Sequence, residues 1–108
     1  MSTPEGNVLN AVCEYLHLRG YFFFRLNNVG VFDPVKKVHR SLPKWSIRGV
    51  PDLLIVWKGQ VFFIEVKAPK GIQSPEQKAF EAMIEENDCD YHLVRSVDDI
   101  ANLFPKRA

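Results

Sequence analysis

Residues 50–67, VPDLLIVWKGQVFFIEVK, decide the fold. They read as two β-rich runs, Val50 to Trp57 and Gln60 to Ala68, joined by Lys58-Gly59 as a tight two-residue hairpin turn. With that turn Trp57 faces Gln60, Leu54 faces Phe63, and Asp52 faces Glu65. Along the second run Phe62, Ile64, Val66 and Ala68 make an unbroken apolar face. Val61, Phe63, Glu65 and Lys67 share the other face, which starts apolar and ends in an acid and a base. Directly opposed cross-strand residues hold their Cβ atoms about 4.5–5.5 Å apart, and like charges so placed destabilise the pair unless a cation offsets them. Two hard oxygen donors without His or Cys beside them in sequence suit Mg²⁺ or Mn²⁺ better than zinc. Lys67, diagonal to Asp52, adds a positive group suited to a phosphate or to an attacking water. A slip of one residue would put Asp52 and Glu65 on opposite faces, so everything depends on the turn.

On the N-terminal side, Ser2-Thr3-Pro4-Glu5 starts a helix, either as a capping box from Ser2 to Glu5 or as a Thr3 cap with Pro4 in the first turn. Val8, Leu9, Val12, Tyr15 and Leu16 recur at helical spacing, and Gly20 ends the element. Tyr21 to Leu26 reads as a first strand too apolar for an exposed edge. Asn27 to Ile47, with Gly30, Asp33-Pro34 and Pro43, reads as a long loop with room for a short hairpin of its own. On the C-terminal side Pro69-Lys70-Gly71 stops the third strand. Ser74-Pro75-Glu76-Gln77 is a capping box, followed by an inward stripe of Phe80, Met83 and Ile84. Tyr91 to Arg95 is a fourth strand, and Ser96 caps a short helix carrying Ile100, Leu103 and Phe104. A strand, a helix and a further strand at this spacing call for a right-handed crossover, so the fourth strand runs parallel to the third and the sheet is mixed.

The 108 residues, 46% hydrophobic and 25% charged, fit one domain spanning 1–108. No apolar run approaches a membrane span, and no signal peptide opens the chain. Two cysteines, Cys13 and Cys89, have no metal-ligand spacing and make no disulfide framework, which fits a reducing cytoplasmic compartment. The net charge of +1 advertises no partner, but its distribution is uneven. Between Pro34 and Pro51 lie Lys36, Lys37, Arg40, Lys44 and Arg48 with no acid; between Glu76 and Asp90 lie six acids and one lysine. An anionic partner at one end and a solvated basic loop are equal readings of that pattern. His17, His39 and His92 lack ligand spacing. Trp45, among Lys44, Arg48 and Arg40, has two readings, a base-stacking residue or a cover for the core rim. No Gly-rich phosphate loop or serine-nucleophile signature is present, so no nucleotide cofactor is expected.

Taken bare, Glu65 and Lys67 also read as a surface ion pair, with Asp52 merely following a turn proline. The combination of Gly49-Val50-Pro51-Asp52, Glu65-Val66-Lys67 and Ser74-Pro75-Glu76-Gln77, with Glu5 in an N-terminal helix, resembles the VRR-NUC family of the PD-(D/E)XK nuclease superfamily over nearly the whole chain. The family occurs both as single-domain phage proteins and at the end of larger eukaryotic repair nucleases, and this chain is similar to the former. The resemblance implies an α/β, restriction-endonuclease-like αβββαβ core with a mixed four-stranded sheet flanked by helices. It implies that Asp52 and Glu65 bind Mg²⁺ or Mn²⁺, that Val66 lends its backbone carbonyl, and that Glu5 adds an acid. Lys67 would orient or help deprotonate the attacking water. Gln77 would be the family's helix glutamine; it reads equally as a capping-box residue bonded to the Ser74 backbone.

The function expected from these residues and that resemblance is a divalent-metal-dependent endonuclease acting on DNA, selective, as the resemblance to the family's single-domain members implies, for branched structures such as Holliday junctions. Lys36, Lys37, Arg40, Lys44, Arg48 and Lys70 would contact the DNA, with steep salt dependence. One small domain carries one cutting centre, so symmetric cleavage of a junction calls for a homodimer. A non-cleaving nucleic-acid-binding module and a protein-interaction module, the latter using Tyr21 to Phe24, are the alternatives.

Overall fold

Thr3 opens the first helix, α1 (Pro4–Leu18): its side chain accepts from Gly6 N at 2.9 Å, with Pro4 at the first helical position. Of the two starts the sequence allows, the Thr3 cap forms, which leaves the Glu5 side chain free of a capping role. The structure, a computed structural model, describes residues 3–26, 32–33, 38–39 and 44–105. After α1 come β1 (Phe22–Arg25), β2 (Phe32–Asp33), β3 (Val38–His39), β4 (Leu53–Trp57), β5 (Gln60–Val66), α2 (Pro75–Glu86), β6 (Asp90–Val94) and α3 (Val97–Leu103). The short antiparallel pair β2–β3 lies inside the segment expected to be a loop with its own hairpin.

The four longer strands form one sheet in the order β1-β4-β5-β6, antiparallel except for the parallel pair β5–β6. The turn between β4 and β5 is the expected two-residue one. Lys58 and Gly59 both take left-handed φ values, 50° and 80°, as a type I′ turn requires. The register follows from it: Trp57 pairs with Gln60, Leu54 with Phe63, and Leu53 with Ile64.

One face of the sheet packs on α1 and α3. Leu53, Ile55, Ile64, Val66 and Val94 meet Val12, Leu16, Tyr21, Ile100 and Phe104, all buried. The phenol groups of Tyr15 and Tyr21 donate to the carbonyls of Phe104 and Pro105, both at 2.6 Å, and fasten the segment after α3 to that core. On the opposite face α2 covers the β5–β6 half, where Phe80 meets Phe63 edge-on at 5.6 Å.

Three sequence expectations are corrected here. β1 is an outer strand, and Phe22 and Phe24 are 65% and 44% exposed. The apolar run expected to be buried is half so, because α2 packs toward β6 and no described element covers the β1–β4 half of that face. Met83, expected in the inward stripe of α2, is exposed while Phe80 is buried. Phe104, expected inside the last helix with Ile100 and Leu103, instead leaves it as its C-cap and is buried in the core, while Leu103 is partly exposed.

Candidate active site

The site forms where the hairpin leaves its ladder. Leu53↔Ile64 is the last β4–β5 pair, and Asp52 stands one residue beyond it, at the Glu65 end of β5. Asp52 is no longer part of the ladder. Its carboxylate Oδ2 accepts from Val66 N at 2.7 Å, and its own carbonyl accepts from Leu26 N at 2.9 Å. The side chain is thereby fixed against β5 rather than left to rotate in solvent.

Glu65 is 2% exposed and Lys67 8%, the two buried charged residues among those described. Glu65 Oε2 accepts from Gln77 Nε2 at 2.9 Å and lies 3.4 Å from Lys67 Nζ. Its second oxygen, Oε1, is buried without a hydrogen-bond partner. Burial is the main reason the Glu65 carboxyl is pushed up to about 8, with the Asp52 charge adding to it and Lys67 opposing it. Lys67 Nζ also lies 3.9 Å from Glu5 Oε1, so the first turn of α1 reaches the cluster through the lysine.

The N-terminal turn of α2 closes the site. Ser74 Oγ accepts from Gln77 N at 3.2 Å, and Gln77 Oε1 accepts from Ser74 N at 2.8 Å. One end of the Gln77 amide therefore caps the helix while the other holds Glu65. Gly49 explains how α2 comes so close. It takes a φ of +83°, and a Cβ there would stand 2.3 Å from Glu76 O and 2.8 Å from Gln77 N. Only glycine lets the segment before Asp52 lie against the backbone of that turn.

Arg95 was not singled out by the sequence. From the end of β6 its Nη1 donates to the carbonyls of Ala68 at 2.9 Å, Pro69 at 3.3 Å and Gly71, shaping the connection from Lys67 to Ser74. The available signal was topological: Arg95 follows the parallel strand beside β5 and precedes the Ser96 cap. Gln73 makes a further link, donating to Glu81 Oε1 and Tyr91 Oη, both at 3.1 Å. Burial pushes the thiol of Cys13, which packs against the core, up from its ordinary value.

A divalent cation fits this donor set. Among the described residues no group of three or more His, Cys, Asp or Glu side chains converges on a metal position. Two carboxylates, one offering an orphaned buried oxygen, match the way Mg²⁺ is held by one or two carboxylates with water and phosphate completing its shell. Of the residues expected to contact DNA, Lys44, Arg48 and Lys70 are exposed; Lys36, Lys37 and Arg40 lie outside the described residues. No described helix is long and apolar enough to cross a membrane.

Two acids and a lysine at one end of an antiparallel hairpin, in a mixed sheet between helices, define the restriction-endonuclease-like class of α/β fold. The VRR-NUC domain model matches residues 8–98, and the chain belongs to the VRR-NUC domain family, which makes it a nuclease-type domain with DNA as the implied substrate. A solved structure described as a VRR_NUC domain has the same fold. It is similar at 22% identity with a TM-score of 0.70, covering 99% of this chain and 100% of that one. No curated protein matches the chain in the corresponding comparison.

Proposed function

We propose that the chain is a Mg²⁺- or Mn²⁺-dependent endonuclease that hydrolyses DNA phosphodiester bonds, selective for branched DNA such as Holliday junctions and working as a homodimer. The observation that carries this reading is the orphaned, buried Oε1 of Glu65, next to Asp52 and with Oε2 already taken by Gln77 and Lys67. A buried carboxylate oxygen with no donor is costly unless a proton or a cation meets it.

In this reading Asp52 and Glu65 hold the cation, with the Val66 carbonyl beside them. The cation, when bound, supplies Lewis-acid charge that activates water and offsets the charge of the phosphoryl transition state. Lys67 orients the attacking water and adds positive charge toward the phosphate. Glu5, paired with Lys67, keeps that ammonium in place and stands as the third acid of the site. Gln77 holds Glu65 in one rotamer, so the open oxygen faces the cation and not the amide. Lys44, Arg48 and Lys70 supply exposed charge for the DNA backbone, with Lys36, Lys37 and Arg40 expected to join them. The uncovered Phe22 and Phe24 offer an apolar surface for pairing two copies.

The test is cleavage of a labelled four-way junction and of a matched linear duplex with Mg²⁺, Mn²⁺ or EDTA, with the mass in solution measured alongside. Metal-dependent cutting of the junction by the wild type, abolished in Asp52→Asn and Lys67→Ala, is expected. Cutting that survives both substitutions would remove the site assignment.

A further inference from the structure

Trp45 is the most exposed large hydrophobic residue among those described, at 89%. Its backbone is also unusual, with a φ of +74°, a left-handed value that a bulky side chain seldom takes. Such strain persists where surrounding structure enforces it, and it is concentrated at ligand clamps and active sites. Every residue from Lys44 to Arg48 is exposed. The Lys44 ammonium lies over the indole, 5.1 Å from the ring centroid, and Arg48 ends the segment. The next residue, Gly49, is locked against Glu76 and Gln77 at the start of α2. The exposed indole is thus carried on a short segment anchored to the same helical turn that holds Glu65. Asp52 follows seven positions on, a span of at most about 25 Å.

We propose that Trp45 is a stacking platform for an unpaired base of the DNA substrate, close to the bond that is cut. The inference rests on the nuclease reading above and narrows its substrate class to branched DNA that exposes an unpaired nucleotide. An exposed indole on a short segment that also carries two exposed cations is the arrangement that single-stranded nucleic acid uses: the cations follow the phosphates and the ring takes a base face. A fully paired duplex keeps its base faces stacked on one another and offers the indole nothing. Hydrophobic docking of a protein is the less favoured occupant, because the Lys44 ammonium lies over the ring and, besides Trp45, the exposed Lys44–Arg48 segment carries two cations against one apolar residue, Ile47.

Two measurements test this together. In EDTA, intrinsic fluorescence of Trp57→Phe, which leaves Trp45 as the sole indole, is followed while oligothymidylate is added. In Mg²⁺, binding and cleavage by wild type, Trp45→Ala and Trp45→Phe are compared on a fork with a single-stranded arm and on a blunt duplex of the same sequence. Quenching by oligothymidylate is expected. Trp45→Ala should weaken fork binding by about 5- to 150-fold, the range for loss of one stacked base. Duplex binding should change less than about twofold, and Trp45→Phe should restore most of the fork affinity. Equal losses on fork and duplex, no loss on either, or conversion of a dimer to a monomer by Trp45→Ala would overturn the proposal. Inactivity of the wild type on every substrate would sink the nuclease reading, whereas the quenching still decides whether the indole stacks on bases.

Discussion

Gln77 donates from Nε2 to Glu65 Oε2 at 2.9 Å while its Oε1 accepts from Ser74 N at 2.8 Å. One amide therefore couples the start of α2 to the buried acid of β5. Gln77→Ala leaves Glu65 without its neutral donor and Ser74 N without its cap. Loss of a partner that orients a metal ligand lowers metal affinity or activity by about 10- to 100-fold. Cleavage rates measured as a function of Mg²⁺ concentration should shift to higher Mg²⁺ by that order. An unchanged Mg²⁺ dependence would reduce Gln77 to a helix cap.

Gly49 is sterically bound to the same turn. In Gly49→Ala the new methyl would stand 2.3 Å from the Glu76 carbonyl oxygen, and the φ of +83° adds strain that no shift of α2 relieves. A loss of about 3 kcal/mol in urea unfolding is expected, near the upper end for a single substitution. Activity should fall with it, because α2 can settle only by moving Gln77 away from Glu65. A variant as stable as the wild type would show that the turn yields more easily than its backbone contacts imply.

The elevated Glu65 carboxyl makes stability depend on pH in the metal-free chain. Unfolded, the group loses its proton near the ordinary value of 4.5; folded, it keeps the proton to about 8. Between those values the folded state binds more protons, so stability falls as pH rises and levels off above about 8. Urea titrations in EDTA across that window should show the decline in the wild type and its absence in Glu65→Gln. Because a cation and a proton compete for Oε1, Mg²⁺ should raise the melting temperature more at pH 8.5 than at pH 6. The same slope in Glu65→Gln would assign the effect to another group.

Arg95 holds three carbonyls of the Lys67-to-Ser74 connection with one nitrogen. Arg95→Met keeps much of the apolar stem but leaves those carbonyls to water, at a cost of about 2 kcal/mol. Faster amide hydrogen exchange at Gly71, whose N–H bonds to Ala68 O at 2.9 Å, would localise the loss to this loop. Exchange rising evenly over the whole chain would point to a general loss of stability instead.

What the sequence determined by itself is local. Lys58-Gly59 forces a two-residue turn, the turn sets the register, and the register brings Asp52, one residue past the last pair, to the Glu65 end of β5 without any knowledge of the helices. Ser74, Pro75 and Gln77 likewise announce the start of α2, because capping involves neighbours three residues apart. The tertiary structure alone decided which half of the sheet α2 covers, and so why Phe22 and Phe24 remain exposed although their sequence is as apolar as that of the core strands. It alone decided that Gln77 reaches Glu65, that Gly49 must be glycine, and that Arg95 shapes a loop 24–27 residues away in sequence. The reason is one of range. Turns and caps are fixed by bonds within a few residues, whereas contacts between elements depend on packing angles and side-chain volumes that no short window of sequence contains.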